Sequence, residues 1–125
     1  LGYTVANDVT ARDLQRRDGQ WTRGKGFDSF CPIGPWIETE FDPADVVVTC
    51  TVNGELRQMA STRDMVFPVR QLVAFASSVM TLEPGDVILT GSPAGVGALN
   101  DGDELVTNIE GLGELRNPVK AEEPH

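Results

Sequence analysis

Histidine is almost missing from this chain: the single one is His125, the last residue. No Ser-His-Asp or Cys-His arrangement can form within the chain, and a histidine-based zinc site is excluded on the same ground. Cysteine is nearly as scarce. Cys31 and Cys50 have neither metal-ligand nor redox spacing. Both are expected to be buried free thiols in a reducing compartment. Basic residues are few: ten against nineteen acidic ones give a net charge of −9. Nucleic-acid binding leaves the opposite footprint, so no nucleic-acid partner is expected. An anionic small molecule is still possible, because local cations or a metal can reverse the field inside one cleft. No apolar run approaches the roughly 18 residues of a membrane span, and no signal peptide opens the chain. No membrane partner is expected, and the setting is expected to be cytoplasmic.

Its 125 residues suit one domain or the larger part of a somewhat bigger one, with a 40% hydrophobic content sufficient for a core. The sequence opens at Leu1, not on methionine, and inside a strand pattern. Truncation or processing is therefore the expectation.

Tyr3 to Ala6 reads as a short buried strand closed by Asn7-Asp8. Thr10 is placed to cap a brief helix carrying Arg12 and Gln15 on adjacent faces. Asp13 is expected to anchor that helix or to pair with Arg16 or Arg17. Asp18-Gly19-Gln20 is a turn, and Trp21 to Gly26 reads as an irregular loop whose glycines flank Lys25. A carboxylate at a strand end, followed by cations on a helix and a loop, suits an anionic ligand. Considered alone, however, Asp8 is more often a cap or turn residue, and Lys25 more often belongs to a solvated loop.

Cys31 to Thr39 is an extended segment that Pro32 and Pro35 restrict to a sheet edge; Trp36 within it is assigned to packing. Val46 to Val52 alternates as a strand, with Val46, Val48, Cys50 and Val52 on one face. Asn53-Gly54 is the strongest hairpin signal, and Glu55 to Gln58 should return as an exposed edge. Ser61 to Asp64 reads as a polar loop. Pro68 opens a helix running to about Met80, whose apolar stripe of Val69, Leu72, Val73, Ala76, Val79 and Met80 marks it as a core helix. Val87 to Thr90 is expected as a short strand. The glycine-rich Gly91 to Gly97 lacks both the Walker lysine and the dinucleotide spacing, so it is not read as a nucleotide site. Asn100 to Asp103 is a solvated turn without the EF-hand ligand pattern. Leu105 to Ile109 and Gly113 to Arg116 form a last hairpin, and 121–125 a frayed tail.

Five blocks, in order, resemble the fumarylacetoacetate hydrolase family: GYTVANDVTARDLQ, GQWTRGKGFDSFCPIGPWI, VNGELRQ, LEPGDVILTGSPAGVG and EGLGELRNPV. The likeness is greatest to its bacterial 2-hydroxyhepta-2,4-diene-1,7-dioate isomerases, acylpyruvate hydrolases and decarboxylases. It implies a mixed, β-rich α+β fold, a β-roll with one main helix at about 68–80, incomplete at its N-terminus. The catalytic domain's C-terminal portion would span 1–120. The resemblance also implies a homodimer using Mg²⁺ or Mn²⁺ on small 2-oxo or 2-hydroxydienoic dicarboxylic acids, in aromatic-compound catabolism. Carried over position by position, Asp8 is the metal carboxylate, and Arg12 and Gln15 face the substrate. Lys25 lies on a flap and serves catalysis and substrate binding, and Ser92 lies beside the substrate carboxylate. Asp28, in the same flap, is not taken as a ligand. The family's upstream Glu-x-Glu metal pair and His/Glu acid-base pair have no counterpart here. A non-catalytic β-rich assembly or binding module, or an inactive fragment, is the alternative.

Overall fold

The computed structural model describes residues 1–121, so His125 and most of the expected tail lie outside the described residues. The described residues form two antiparallel sheets and three α-helices. Strand β1 (Tyr3–Ala6) pairs with β2 (Ile33–Glu38) in the first sheet. The register couples Val5 to Gly34 and Ala6 to Ile33, with an irregularity between Tyr3 and Val5. Two strands alone are marginal in water. This pair is supported because both strands lie against the second sheet and Val5 is wholly buried.

The second sheet has the order β4-β3-β5-β6, formed by β3 (Val47–Val52), β4 (Glu55–Ser61), β5 (Glu104–Ile109) and β6 (Gly113–Pro118). Its first hairpin turns on Asn53 and Gly54, whose φ values of 53° and 79° are the left-handed pair a two-residue turn needs. The Asn53 amide donates to Asp103 Oδ1 at 2.8 Å, and its Oδ1 accepts the Glu104 amide at 2.8 Å. One side chain thus ties the β3–β4 turn to the start of β5. The alternation in β3 holds: Cys50 and Val52 are buried and pack with Leu105. Strand β4 is an edge, as its polar side chains foretold. The loop after Thr90 docks on that edge, Gln58 Nε2 donating to the Pro93 carbonyl at 2.8 Å. A Cβ at Gly95 would run into the Arg57 carbonyl.

Helix α1 covers Arg12–Asp18, α2 covers Thr22–Lys25 and α3 covers Val69–Val79. The main helix lies where Pro68 and the apolar spacing put it, but it is not a core helix. None of its residues is buried, and Phe75 and Val79 are exposed at 71% and 66%. Helical spacing identifies a face without identifying what covers it. The strand expected at Val87 to Thr90 is also absent; these residues have no sheet partner, and Val87 and Leu89 are exposed. An apolar run becomes a strand only where a ladder receives its backbone groups. Trp21 to Gly26 is not irregular throughout, since it contains α2. Ser61 to Asp64 is the end of β4 and a 3-10 turn, with Ser61 Oγ accepting the Arg63 amide. Cys50 is buried as expected, while Cys31 is only half-buried; both are free.

Candidate active site

The end of β1 brings the candidate residues together. After Ala6 the chain stays beside β2 for one more step, the Asn7 amide donating to the Pro32 carbonyl at 3.1 Å. Asn7 Nδ2 reaches Thr107 Oγ1 on β5 at 3.3 Å, fixing this corner to the second sheet. Asp8 follows directly, and its Oδ2 accepts a hydrogen bond and ion pair from Lys25 Nζ on α2. The two side chains are 26% and 27% exposed, a partial desolvation that strengthens the attraction relative to a surface pair.

Thr10 is not the helix cap that the sequence predicts. The N-cap is Ala11, with no side-chain cap. The Thr10 hydroxyl donates to the Asp8 carbonyl at 3.0 Å and accepts from Lys25 Nζ at 3.3 Å. It is drawn away from the helix end because an extended chain lets its short side chain bond locally. Asp13 pairs with neither Arg16 nor Arg17 among the described residues; Arg17 lies 3.6 Å from Asp18 instead.

Arg12 and Gln15 meet as the three-residue spacing requires, Arg12 Nη1 donating to Gln15 Oε1 at 2.6 Å. Gln15 is 9% exposed, whereas Arg12 lies on the surface. A buried amide thus holds an exposed guanidinium by one nitrogen and leaves its other donors without a partner among the described residues. Gln15 is covered by α2: the Ala11 amide donates to the Gly24 carbonyl at 2.8 Å, and Gly24 lies over the Gln15 backbone. Asp8, Arg12, Gln15 and Lys25 therefore belong to one corner built from β1, α1 and α2. Ser92 does not join them: it is exposed and forms no hydrogen bond with any of the four. Asp28 is exposed and is not part of the corner.

Two contacts escaped the sequence reading. Lys25 Nζ lies 5.8 Å from the centroid of the Trp21 ring, a cation–π distance. The spacing from 21 to 25 is one helical turn and would have revealed it had α2 been recognised. The second is a double bond from Arg23 to Asp18, with Nε and Nη2 each 2.7 Å from a different carboxylate oxygen. Arg23 holds the Asp18 carboxyl below its ordinary range, and Asp18 raises the guanidinium in turn.

The corner is open. A cleft of about 840 Å³ runs beside it between Leu14, Phe27, Phe30 and Lys120, but none of the five candidates lines it. A second, of about 380 Å³, lies away from it at Tyr3, Phe41 and Val69. Among the described residues no three His, Cys, Asp or Glu side chains converge as a metal site. Asp8 offers one carboxylate, already paired with Lys25, and magnesium needs more oxygen ligands than that. The described residues alone therefore do not fit Mg²⁺ or Mn²⁺.

The family of fumarylacetoacetate (FAA) hydrolase C-terminal domains matches residues 1–120. The chain is 47% identical over 129 residues to the mitochondrial oxaloacetate tautomerase Fahd2a of Rattus norvegicus, covering 94% of this chain and 41% of that protein. Among solved structures, the 2-hydroxyhepta-2,4-diene-1,7-dioate isomerase of Mycobacterium marinum is 57% identical with a TM-score of 0.94, covering 96% of this chain and 48% of the other. The 5-carboxymethyl-2-hydroxymuconate delta-isomerase of Mycobacterium smegmatis is 54% identical at 0.97, covering 99% and 49%. The chain spans about half the length of the curated relatives it matches, 52%, 46% and 47% for three of them. With a family match across nearly all its residues and near-superimposable relatives, this chain belongs to the fumarylacetoacetate hydrolase family, carrying its C-terminal domain.

Proposed function

We propose that this chain supplies the substrate-facing part of an enzyme that moves a proton within 2-oxo or 2-hydroxydienoic dicarboxylic acids. The observation that carries the reading is the half-buried Lys25 ammonium, held at Asp8 and Thr10 beside the Arg12–Gln15 pair. The kinship supports it, since relatives at 47–57% identity are named an oxaloacetate tautomerase, a 5-carboxymethyl-2-hydroxymuconate delta-isomerase and a 2-hydroxyhepta-2,4-diene-1,7-dioate isomerase. Hydrolytic C–C cleavage and decarboxylation, which pass through the same enolate, are the neighbouring outcomes.

In this reading Arg12 takes a substrate carboxylate with the donors that Gln15 leaves free, a geometry its planar fork suits. Lys25 holds the negative charge that develops on the C2 oxygen while the proton is away from carbon. The proton shift between C3 and that oxygen leaves the composition of the substrate unchanged. Its carrier is not among these residues. Ser92 is proposed as a carboxylate contact from the glycine-rich loop. Asp8 is the one carboxylate this corner offers to Mg²⁺ or Mn²⁺, with further ligands required from outside the described residues. Homodimerisation, a cytoplasmic setting and a place in aromatic-compound catabolism belong to the same proposal. No helix among the described residues is long and apolar enough to cross a membrane.

The test is the ultraviolet absorbance of an enolised 2-oxo dicarboxylic acid, followed with the whole protein and Mg²⁺. Turnover is expected, and Lys25→Met should lower kcat/KM by about 10²-fold or more, the usual cost of losing an oxyanion donor. Absence of any absorbance change with the parent protein overturns the proposal. A second reading, a non-catalytic assembly module, is favoured by the exposed apolar side of α3; a lack of turnover together with self-association lost in Phe75→Glu would support it.

A further inference from the structure

Helix α2 is a single turn of four residues, with no side-chain cap at its N-terminus. A turn that short does not persist by its own hydrogen bonds. Its position, and with it that of Lys25, must come from attachments outside itself. Apart from the bonds of Lys25 Nζ to Asp8 and Thr10, which are what has to be held, two of these are at one point: the Ala11–Gly24 backbone bond and the seat of Gly24 on Gln15. Contacts gathered at one residue leave the turn free to pivot there.

The third attachment is different in kind. Arg23 grips Asp18 with two parallel bonds of 2.7 Å, and paired bonds resist rotation where a single one does not. The exposed pairs of other acids among the described residues are longer, from 2.9 Å in Arg116–Glu114 to 3.9 Å in Arg63–Asp64, and those acids are 49–73% exposed. The Asp18 side chain is 20% exposed. Its placement also runs against helix preference, because an aspartate ending α1 faces the negative end of the helix dipole. Within α1 the acid meets only Arg17, at 3.6 Å, whereas its two short bonds go to α2.

We infer that Arg23 and Asp18 are positioning residues that fix α2 against rotation and thereby hold Lys25 at Asp8. The inference rests on the reading of Lys25 as the substrate-facing cation. Its test, however, reads Lys25 directly and not through turnover.

The chain has two lysines, Lys25 and the exposed Lys120, so Lys120 serves as an internal reference for chemical modification. Brief treatment of the whole protein with acetic anhydride, mapped by mass spectrometry, should acetylate Lys25 more slowly than Lys120. In Arg23→Gln and in Asp18→Asn the Lys25-to-Lys120 ratio should rise about two- to fivefold, the range an exposed ion pair can exert. The double variant should rise no further than either single one. The exchanged pair Asp18→Arg with Arg23→Asp should return the ratio toward that of the parent. Arg16→Gln, on the same helix and unpaired among the described residues, should leave it unchanged. An unchanged ratio in both single variants, with circular dichroism intact, overturns the inference. So does an equal rise in Arg16→Gln. A shifted ratio in a protein that turns over no 2-oxo acid would leave the positioning role standing and remove the proposed function.

Discussion

Gly24 lies on the backbone of Gln15. A Cβ at Gly24 would stand 3.1 Å from the Gln15 nitrogen and 3.2 Å from its Cα. Gln15 cannot easily yield, because its amide is bonded within α1 to the Ala11 carbonyl at 2.9 Å and its side chain is buried. Alanine at a helical glycine normally gains up to about 1 kcal/mol of propensity. Overpacking costs about 1–3 kcal/mol, so the clash outweighs the gain. Gly24→Ala should lower the melting temperature by a few degrees and speed acetylation of Lys25. A melting temperature above the parent's would show that α2 lifts freely from α1.

The Asp18–Arg23 pair also predicts a dependence on pH. Arg23 lowers the folded-state pKa of Asp18, so its contribution is present above the unfolded carboxylate value of about 4 and is lost as pH falls through the lower folded value. The Asp18–Arg23 bonds should therefore hold from neutral pH down to about 4 and loosen only below the ordinary carboxylate range. Exchange of the Arg23 Nε proton, followed by nuclear magnetic resonance, would measure it. Protection of that proton lost already near pH 6 would contradict the pairing with Asp18.

The two thiols should separate cleanly. Burial pushes the Cys50 thiol up, more than the hydrogen bond from Thr107 at 3.8 Å brings it down. At pH 8 it should be protonated and shielded, while the half-buried Cys31 is accessible. Iodoacetamide should label Cys31 first and reach Cys50 only on unfolding. Equal labelling of both in the native protein would contradict the packing of β3 against β5.

Asn53 carries two duties, a left-handed backbone at φ 53° and two side-chain bonds to Asp103 and Glu104. Asn53→Ala should cost about 1–2 kcal/mol, combining the left-handed penalty with the lost bonds. Asn53→Gly should cost less, because it restores the backbone freedom. Denaturant titration would rank the two variants; equal losses would mean that the side-chain bridge dominates the turn, and a larger loss in Asn53→Gly would contradict the left-handed penalty.

Most of the sheet framework was legible because its signals are local. The period of two in β3, the Asn53-Gly54 turn and the paired runs around Glu110 to Leu112 each define their own partners. What was not legible depends on contacts distant in sequence. The stripe of α3 announces a buried face that Phe75 and Val79 do not have, and Val87 to Leu89 has strand composition without a ladder. In the site, the Arg12–Gln15 pair followed from helical spacing, whereas the meeting of Lys25 with Asp8 spans seventeen positions and requires the fold. Ser92 was assigned by likeness alone, and nothing in its surroundings joins it to the corner.

The most direct test of the account is a calorimetric titration of the whole protein with oxalate, a mimic of the 2-oxo acid end, in the presence of Mn²⁺. It would be repeated with Asp8→Ala and Lys25→Met. The account predicts saturable binding by the parent, lost in Asp8→Ala and weakened about tenfold or more in Lys25→Met, as expected for a charge-assisted bond. Binding by the parent that both variants retain in full would place the acid elsewhere and contradict the account.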